Sequence, residues 1–246
     1  MFSDKENVNI LTSLLIAHSV RHAVVCPGSR NAPIVHNLDA CGSIHCYPVT
    51  DERSAGFYAL GLCQAVNAPV VVCVTSGTAL LNLCPSVAEA FYQHLPLVVI
   101  SADRPAQWID QLDGQTLLQV GALERFVSKT VNLPEPHDKE SRWYCNRLIN
   151  EAIIACVKSS CGPVHINVPI TEPLYQFNTN TLPIERKITF LSGLSDFNAA
   201  SVQCFQPIVK ALKHAQKPLI IIGQMKPSVV ISTHVERLIS QQHVVL

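Results

Sequence analysis

The sequence predicts an α/β fold, a mostly parallel sheet with helices on both faces, followed by the start of a second α/β domain. Short runs of β-branched residues alternate with helix-length segments through most of the chain, which is typical of parallel βαβ units. The run Val70 to Thr75 is almost entirely apolar, as a strand covered on both faces requires. The chain has 246 residues, 48% of them hydrophobic, so it is long enough to bury a substantial core.

The first part of the chain contains six predicted strands and the helices that connect them. The strands are residues 23–26, 44–49, 70–75, 97–101, 127–132 and 164–168. The helices are residues 32–40, 53–66, 78–94, 117–125 and 139–159. Ahead of the first strand, Ser3 and Glu6 have the spacing of a capping box before the apolar residues Ile10 and Leu14, which predicts an amphipathic helix.

The predicted domains are residues 1–175, a linker at 176–198, and the start of a truncated second domain at 199–246. The linker is predicted from Pro183 and the polar stretch 176–181. The last part is predicted to form a helix at 199–214, a strand at 218–223, a helix at 228–240 and the beginning of a strand at 244–246. A domain that stops on its second strand cannot close its core, so we expect the chain to be a fragment of a longer protein.

Charge and cysteine usage exclude several classes of protein. The 18 basic and 18 acidic residues balance, which argues against a surface for nucleic acid or anionic membrane. No apolar run approaches the ~20 residues that span a bilayer. The ten cysteines contain no Cys-x-x-Cys pair, which argues against a zinc site. The length of the chain and the lack of a signal-peptide pattern argue against a secreted disulfide framework. We expect a reduced, cytoplasmic protein.

Polar residues follow each of the first four predicted strands, at the edge where parallel sheets bind ligands. These residues are Pro27-Gly28-Ser29-Arg30, Thr50-Asp51-Glu52-Arg53, Ser76-Gly77-Thr78 and Ala102-Asp103-Arg104-Pro105. Each group alone could be a tight turn, a helix cap or an ion pair on a turn. Their convergence on one edge favours a ligand site. Gly-x-Gly-x-x-Gly and P-loop motifs are absent from the sequence, which argues against an NAD or P-loop site.

Four strings, in this order and spacing, resemble the N-terminal part of thiamine-diphosphate enzymes. They are V-C-P-G-S-R-N-A-P-I, D-E-R-S-A-G-F-Y-A-L-G, V-T-S-G-T-A-L-L-N and I-S-A-D-R-P. With H-I-N-V-P-I-T-E-P-L-Y, they resemble more narrowly the 2-succinyl-5-enolpyruvyl-6-hydroxy-3-cyclohexene-1-carboxylate (SEPHCHC) synthases of menaquinone biosynthesis. The resemblance is dense over residues 1 to about 175 and thin beyond.

The resemblance implies roles for named residues. Glu52 matches the activating glutamate that hydrogen-bonds N1′ of the cofactor's pyrimidine, and is the catalytic residue in this chain. Thr75, Thr78 and Asn82 match positions that contact the pyrimidine. Ser29, Arg30, Arg104 and Gln115 match positions that line the isochorismate side, where a guanidinium fork suits a carboxylate better than lysine does.

The resemblance also implies cofactors, substrates and partners. The implied cofactors are thiamine diphosphate and Mg²⁺ or Mn²⁺, and the implied substrates are 2-oxoglutarate and isochorismate. The family's metal and diphosphate motif, Gly-Asp-Gly with a downstream asparagine, is absent from these 246 residues. We therefore expect the metal to bind elsewhere and this chain alone to be inactive. In the family the cofactor lies between two subunits, so a homodimer or homotetramer is expected.

Two alternatives stay open at this point. Another thiamine-diphosphate carboligase or decarboxylase of a smaller 2-oxo acid would use the same glutamate. Thr-Ser-Gly-Thr-Ala stands here where broader relatives have Thr-Ser-Gly-Pro-Gly, which weakens an acetolactate-synthase assignment. A non-catalytic α/β module that binds an acidic ligand is the alternative from a different class.

Overall fold

The computed structural model describes residues 1–157, 161–189, 199–221, 229–240 and 244–245. The chain divides into two compact units, residues 1–190 and 191–246. Within the first unit, Phe2 and Thr179 form an antiparallel bridge, and Ile188 donates its backbone N–H to Asn150 Oδ1. The part of the predicted linker at 176–189 thus packs against the first unit, and the part at 190–198 lies outside the described residues. The predicted domain bounds stay predictions.

A six-stranded, all-parallel sheet forms the centre of the first unit. Its strands are β1 (His22–Val25), β2 (His45–Pro48), β3 (Val70–Val74), β4 (Leu97–Asp103), β5 (Lys129–Asn132) and β6 (Val164–Pro169). They lie side by side in the order β2-β1-β3-β4-β6-β5. The predicted fold class is confirmed, and each predicted strand corresponds to one of these.

Helices cover both faces of this sheet. The helices of the first unit are α1 (Glu6–Ala17), α2 (Ala32–Ala40), α3 (Glu52–Val66), α4 (Thr78–Asn82), α5 (Cys84–Tyr92) and α6 (Lys139–Val157). On one face, Val71 and Cys73 of β3 lie in a core with α1, α2 and α6; on the other, Val70, Val72 and Val74 lie in a core with α3, α4 and α5. All five residues of β3 are buried, because alternate side chains of a strand point to opposite covered faces.

Two predicted helices differ in the structure. Residues 117–125 form turns and only the start of a short 3-10 helix, Glu124–Phe126, so the helix predicted there is wrong. Gly121 has φ of +86°, which no α-helix contains, and Leu118 is 72% exposed. The helix predicted at 78–94 is two helices, α4 and α5, joined at Leu83. Pro85 lacks an N–H to continue the hydrogen-bond ladder of α4.

The predicted capping box at the N-terminus is also wrong. Helix α1 begins at Glu6 after Lys5, which makes no side-chain capping bond, and Ser3 lies outside the helix. Ser3 is fully buried, and its backbone N–H donates to Asn37 Oδ1 at 2.8 Å. The start of the chain is therefore fixed by contacts with α2 and not by a local helix cap.

In the second unit, the order of elements is as predicted. The elements are α7 (Ala199–His214), β7 (Leu219–Ile220), α8 (Val229–Ser240) and β8 (Val244–Val245). Strands β7 and β8 pair in parallel. The predicted strand end at 222–223 lies outside the described residues, as do the helix ends predicted at 158–159 and 228.

The cysteines behave as small hydrophobic residues in the described part of the chain. The nine cysteines whose side chains the structure describes are free thiols, and five of them are buried. Burial raises the pKa of Cys73 to about 12, so this thiol stays protonated and packs as an apolar group. Among the described helices, none is both long and apolar enough to cross a membrane.

His165 is a buried titratable group in the middle of β6. Its Nε2 lies 2.7 Å from Ser101 Oγ in the neighbouring strand β4, and its Nδ1 has no hydrogen-bond partner. Burial lowers the pKa of His165 from the ordinary 6.5 to about 4. The folded chain therefore holds this imidazole neutral where the unfolded chain would protonate it.

We expect acid to destabilise the fold through His165. Between pH 6.5 and about 4 the unfolded chain binds a proton that the folded chain excludes, so the free energy of unfolding falls as pH falls through this window. The linked loss is about 3 kcal/mol. Urea unfolding between pH 7 and pH 4 measures it. His165→Gln should flatten the pH dependence; an unchanged slope in this variant would contradict the assignment.

Candidate functional site

The candidate site lies at the carboxyl edge of the central sheet. Strands β1, β3, β4 and β6 are adjacent and parallel, so the loops that follow them meet at one edge. The loop after β2, which starts α3, belongs to the same edge. Most of the side chains singled out by sequence analysis follow one of these strand ends.

Arg30 and Arg104 line a single pocket of about 350 Å³ at this edge. The residues that line it are Arg30, Arg104, Pro105, Trp108, Asp113, Thr171 and Glu172. Two guanidinium groups in one cavity, beside the partly exposed indole of Trp108, suit a small ligand that carries carboxylates. Asp113, Thr171, Glu172 and Trp108 were not predicted. Of these four, Thr171 and Glu172 lay within a quoted motif, as the threonine and glutamate of H-I-N-V-P-I-T-E-P-L-Y.

Two hydrogen bonds hold the guanidinium group of Arg30 in the pocket. Its side chain is 6% exposed; Nη1 donates to the carbonyl of Ile170 at 3.0 Å, and Nη2 donates to Glu172 Oε1 at 2.9 Å. The loop that carries it is fixed by Asn31, whose Nδ2 donates to the carbonyl of Cys26 at 2.8 Å. A buried guanidinium requires such partners, because an unpaired buried charge is strongly destabilising.

Arg104 reaches the same pocket from the loop after β4. Its Nε lies 2.8 Å from Asp113 Oδ2, and Nε and Nη2 both donate to the carbonyl of Gly114. Nη1 lies 3.8 Å from Glu172 Oε1, the same oxygen that binds Arg30. The two predicted arginines thus converge, and two carboxylates of the chain neutralise them.

Glu52 stands at the first position of α3, directly after its cap. Asp51 caps the helix by accepting a hydrogen bond from the Ser54 N–H at 2.8 Å. Glu52 is half-buried, and its Oε2 accepts a hydrogen bond from Asn82 Nδ2 at 3.2 Å. Burial, together with the charges of Glu52 and Asp51, raises the pKa of Cys26 to about 12. The predicted pair Glu52 and Asn82 therefore lies together at the end of β1.

The loop after β3 lies against the loop after β1. A Cβ on Gly28 would stand 2.4 Å from Thr75 Cβ, so only glycine allows this approach. Thr75 is buried, whereas Thr78, the first residue of α4, is exposed. The close approach of Gly28 therefore positions Thr75 against the loop that carries Arg30.

Gln115 and Ser29 occupy different positions from the two arginines. Gln115 Nε2 donates to the carbonyl of Ser76 at 3.3 Å, and the Gln115 backbone packs on Gly77, whose φ is +84°. Gln115 therefore borders the loop after β3. Ser29 is exposed and precedes Arg30 in the turn. Within the described residues, neither of them lines the pocket of the arginines.

A buried polar network joins these loops, and sequence analysis missed its central residue, Gln119. Gln119 Oε1 accepts from the Gly77 N–H at 2.7 Å, and its Nε2 donates to the carbonyl of Ala102 and to Asn167 Oδ1. Asn167 Nδ2 donates to Asp103 Oδ2 at 2.8 Å. Burial raises the pKa of Asp103, opposed by this bond and by its bond from the Arg104 N–H. The network fixes the loops after β3 and β4 relative to each other.

No cluster of three or more His, Cys, Asp or Glu side chains that could hold a metal ion occurs among the described residues. The groups at the edge do fit the pyrimidine end of a cofactor. Glu52 is a half-buried carboxylate that accepts a hydrogen bond from Asn82, and a carboxyl group can share a proton with a ring nitrogen across a charge-assisted hydrogen bond.

We expect Gly28→Ala to lower the free energy of unfolding by about 1–3 kcal/mol, because the added methyl group overlaps Thr75 and the chain must shift to accommodate it. Gly61→Ala is the matched control. A Cβ at Gly61 meets nothing within 4 Å in the interior of α3, so this change should be neutral or stabilise by up to about 1 kcal/mol. Equal unfolding midpoints in urea for the two variants would refute the close approach of the two loops.

Comparison with known proteins identifies the domain. Residues 6–123 match the family model described as thiamine pyrophosphate enzyme, N-terminal TPP binding domain. The chain is 53% identical over 225 residues to a 2-succinyl-5-enolpyruvyl-6-hydroxy-3-cyclohexene-1-carboxylate synthase from Bacteroides thetaiotaomicron; the match covers 92% of this chain and 40% of the relative. A synthase of the same name from Phocaeicola vulgatus is 54% identical with the same coverage.

A more distant relative extends the match to the end of the chain. The synthase of the same name from Porphyromonas gingivalis is 39% identical over 246 residues, which is 100% of this chain and 42% of the relative. The chain spans about two fifths of the length of the curated relatives it matches. The chain belongs to the thiamine pyrophosphate enzymes: residues 6–123 match their N-terminal TPP binding domain, and 92% of the chain matches about two fifths of a SEPHCHC synthase.

Proposed function

We propose that the protein carrying this chain is a thiamine-diphosphate-dependent synthase of menaquinone biosynthesis. It decarboxylates 2-oxoglutarate and joins the remaining succinyl unit to isochorismate, which yields SEPHCHC and CO₂. The observation that carries the proposal is the convergence of Arg30 and Arg104 on one pocket at the edge that also holds Glu52. Both substrates carry two carboxylates, and paired guanidinium groups are suited to bind them.

In this proposal Glu52 is the catalytic residue. Its carboxyl group hydrogen-bonds a pyrimidine nitrogen and holds or releases a proton there, and Asn82 orients it through the bond to Oε2. Thr75 and Thr78 contact the pyrimidine beside it. Bound thiamine diphosphate supplies the nucleophilic carbon and the electron sink for decarboxylation and carbon–carbon bond formation. The protein's own residues orient the cofactor and the substrates, and they hold or release the proton at the pyrimidine nitrogen.

On the substrate side, Arg30 and Arg104 bind carboxylate in their pocket. Ser29, in the turn before Arg30, and Gln115, at the loop after β3, contact the substrate from outside that pocket. The Arg30 guanidinium is buried and held through Ile170, so it presents its fork in a fixed direction and loses little entropy when a ligand binds. Trp108 provides an apolar wall to the pocket. The arrangement favours a dicarboxylate over pyruvate, which has a single carboxylate.

The wider assembly is also part of the proposal. The diphosphate and its Mg²⁺ or Mn²⁺ ion bind residues outside these 246, as the greater length of the curated relatives supports. Phe57 and Tyr58 follow Glu52 on α3 and are 46% and 47% exposed, which fits burial against another subunit in a homodimer or homotetramer. The free thiols are compatible with the reducing cytoplasm.

We expect turnover of 2-oxoglutarate with isochorismate by the protein expressed from its complete gene, and a loss of about 10²- to 10⁴-fold in Glu52→Gln, the range of a proton-transfer contribution. Glu89→Gln on α5 is the matched control and should retain the wild-type rate. Chromatographic measurement of product formation gives the rates of the wild type and of both variants. Turnover with pyruvate alone, and none with the two proposed substrates, would refute the function; a normal rate in Glu52→Gln with unchanged circular dichroism would refute the role of Glu52.

We expect Arg30→Lys to raise the KM for isochorismate about tenfold or more, because lysine keeps the charge but lacks the second donor of the fork. Arg147→Lys on the exposed face of α6 is the control and should behave as wild type. Steady-state kinetics with isochorismate varied at saturating 2-oxoglutarate measures the change. An unaltered KM and kcat in Arg30→Lys would mean that Arg30 does not contact the substrate.

A further inference from the structure

One oxygen of Glu172 bridges the two arginines of the pocket. Oε1 lies 2.9 Å from Arg30 Nη2 and 3.8 Å from Arg104 Nη1. This is the position that a carboxylate oxygen of a ligand bound to both guanidinium groups would take. The chain therefore supplies its own carboxylate to the place where the pocket is suited to bind one.

The charges of the pocket balance while Glu172 is in this place. The four charged side chains that line the pocket, Arg30, Arg104, Asp113 and Glu172, carry no formal net charge. The buried Asp103 lies behind them and also interacts with both arginines. Asp113 Oδ2 lies 2.8 Å from Arg104 Nε and pairs with that arginine. An arriving carboxylate gains a net electrostatic attraction only after one of the two acidic side chains withdraws.

The solvent exposure of the two acidic side chains, Glu172 and Asp113, indicates which of them a ligand displaces. The Glu172 side chain is 67% exposed, whereas that of Asp113 is 34% exposed. A carboxylate that is already largely hydrated loses little in returning to water, and an exposed ion pair contributes little stability. The Arg30 side chain is only 6% exposed, so its charge requires an anionic partner after Glu172 moves away. A carboxylate of the ligand can be that partner.

We propose that Glu172 is a displaceable internal carboxylate. It neutralises Arg30 and Arg104 in the ligand-free protein, and it swings to solvent when a carboxylate of the ligand takes its place. With Asp113 still on Arg104, the charged side chains that line the pocket then carry one uncompensated positive charge, which attracts a carboxylate group of the ligand. The occupied pocket is not competent to bind, and Glu172 thereby lowers the apparent affinity for the ligand by the fraction of time it is in place.

This inference rests on the proposed function only in taking the ligand to be a carboxylate. The test uses isothermal titration calorimetry on the protein expressed from its complete gene, with isochorismate or succinate as the titrant and no 2-oxoglutarate present. Glu172→Gln and Glu172→Ala should each bind both titrants about three- to tenfold more tightly than wild type, because the competing charge is gone. Glu89→Gln removes one carboxylate outside the pocket and should bind as wild type does.

The outcomes separate the two proposals. Weaker or unchanged binding in both Glu172 variants overturns the inference, because it would mean that Glu172 holds Arg30 in place for the ligand or has no part in binding. If no variant binds isochorismate but both Glu172 variants bind succinate more tightly, the substrate assignment fails and the role of Glu172 stands.

Discussion

Parallel pairing of β1, β3, β4 and β6 is the constraint on which the site depends. Parallel strands end at the same edge of a sheet, so residues far apart along the chain meet there without any local sequence signal. Arg30 and Glu172 are 142 positions apart and form an ion pair because β1 and β6 end at the same edge. Reversal of any one of these strands would take its loop to the opposite edge and remove one component of the site.

The loops at this edge are held by buried hydrogen bonds. Gln119 connects the Gly77 N–H with Ala102 and Asn167, and Asn167 in turn binds Asp103. A buried polar group left without a partner costs about 1–3 kcal/mol, so these bonds oppose movement of the loops. Charged pairs on the pocket rim, by contrast, are open to water and can exchange partners. The site thus combines a rigid base with at least one mobile side chain.

Much of the fold could be predicted because its signals are local. Continuous β-branched runs such as Val70–Val74 identify buried parallel strands, and the helices between them follow from length and spacing. The errors arose where local pattern and tertiary contact disagree. Ser3 and Glu6 have the spacing of a capping box, yet Ser3 is buried against Asn37. Residues 117–125 have helical composition, but Gln119 is held by the sheet edge and Gly121 turns the chain.

Some residues of the candidate site could likewise be predicted from the sequence, and others could not. Glu52, Arg30 and Arg104 were predicted from the sequence, because they follow strands directly and belong to recognisable motifs. Gln119, Asp113 and Trp108 were not, since they lie between β4 and β5, where the chain forms turns and two short 3-10 helices, so the helical pattern of 117–125 did not indicate where the Gln119 side chain points.

By itself, the sequence determined the α/β class, the strands and the chemical types at their ends, because these depend on the order and hydrophobicity of neighbouring residues. Only the tertiary structure decided that Arg30 and Arg104 share a pocket, that Gln115 borders the loop after β3, and that Glu172 neutralises both arginines. Those contacts join loops from different strands, and their geometry depends on sheet order and on buried hydrogen bonds, which no local pattern encodes.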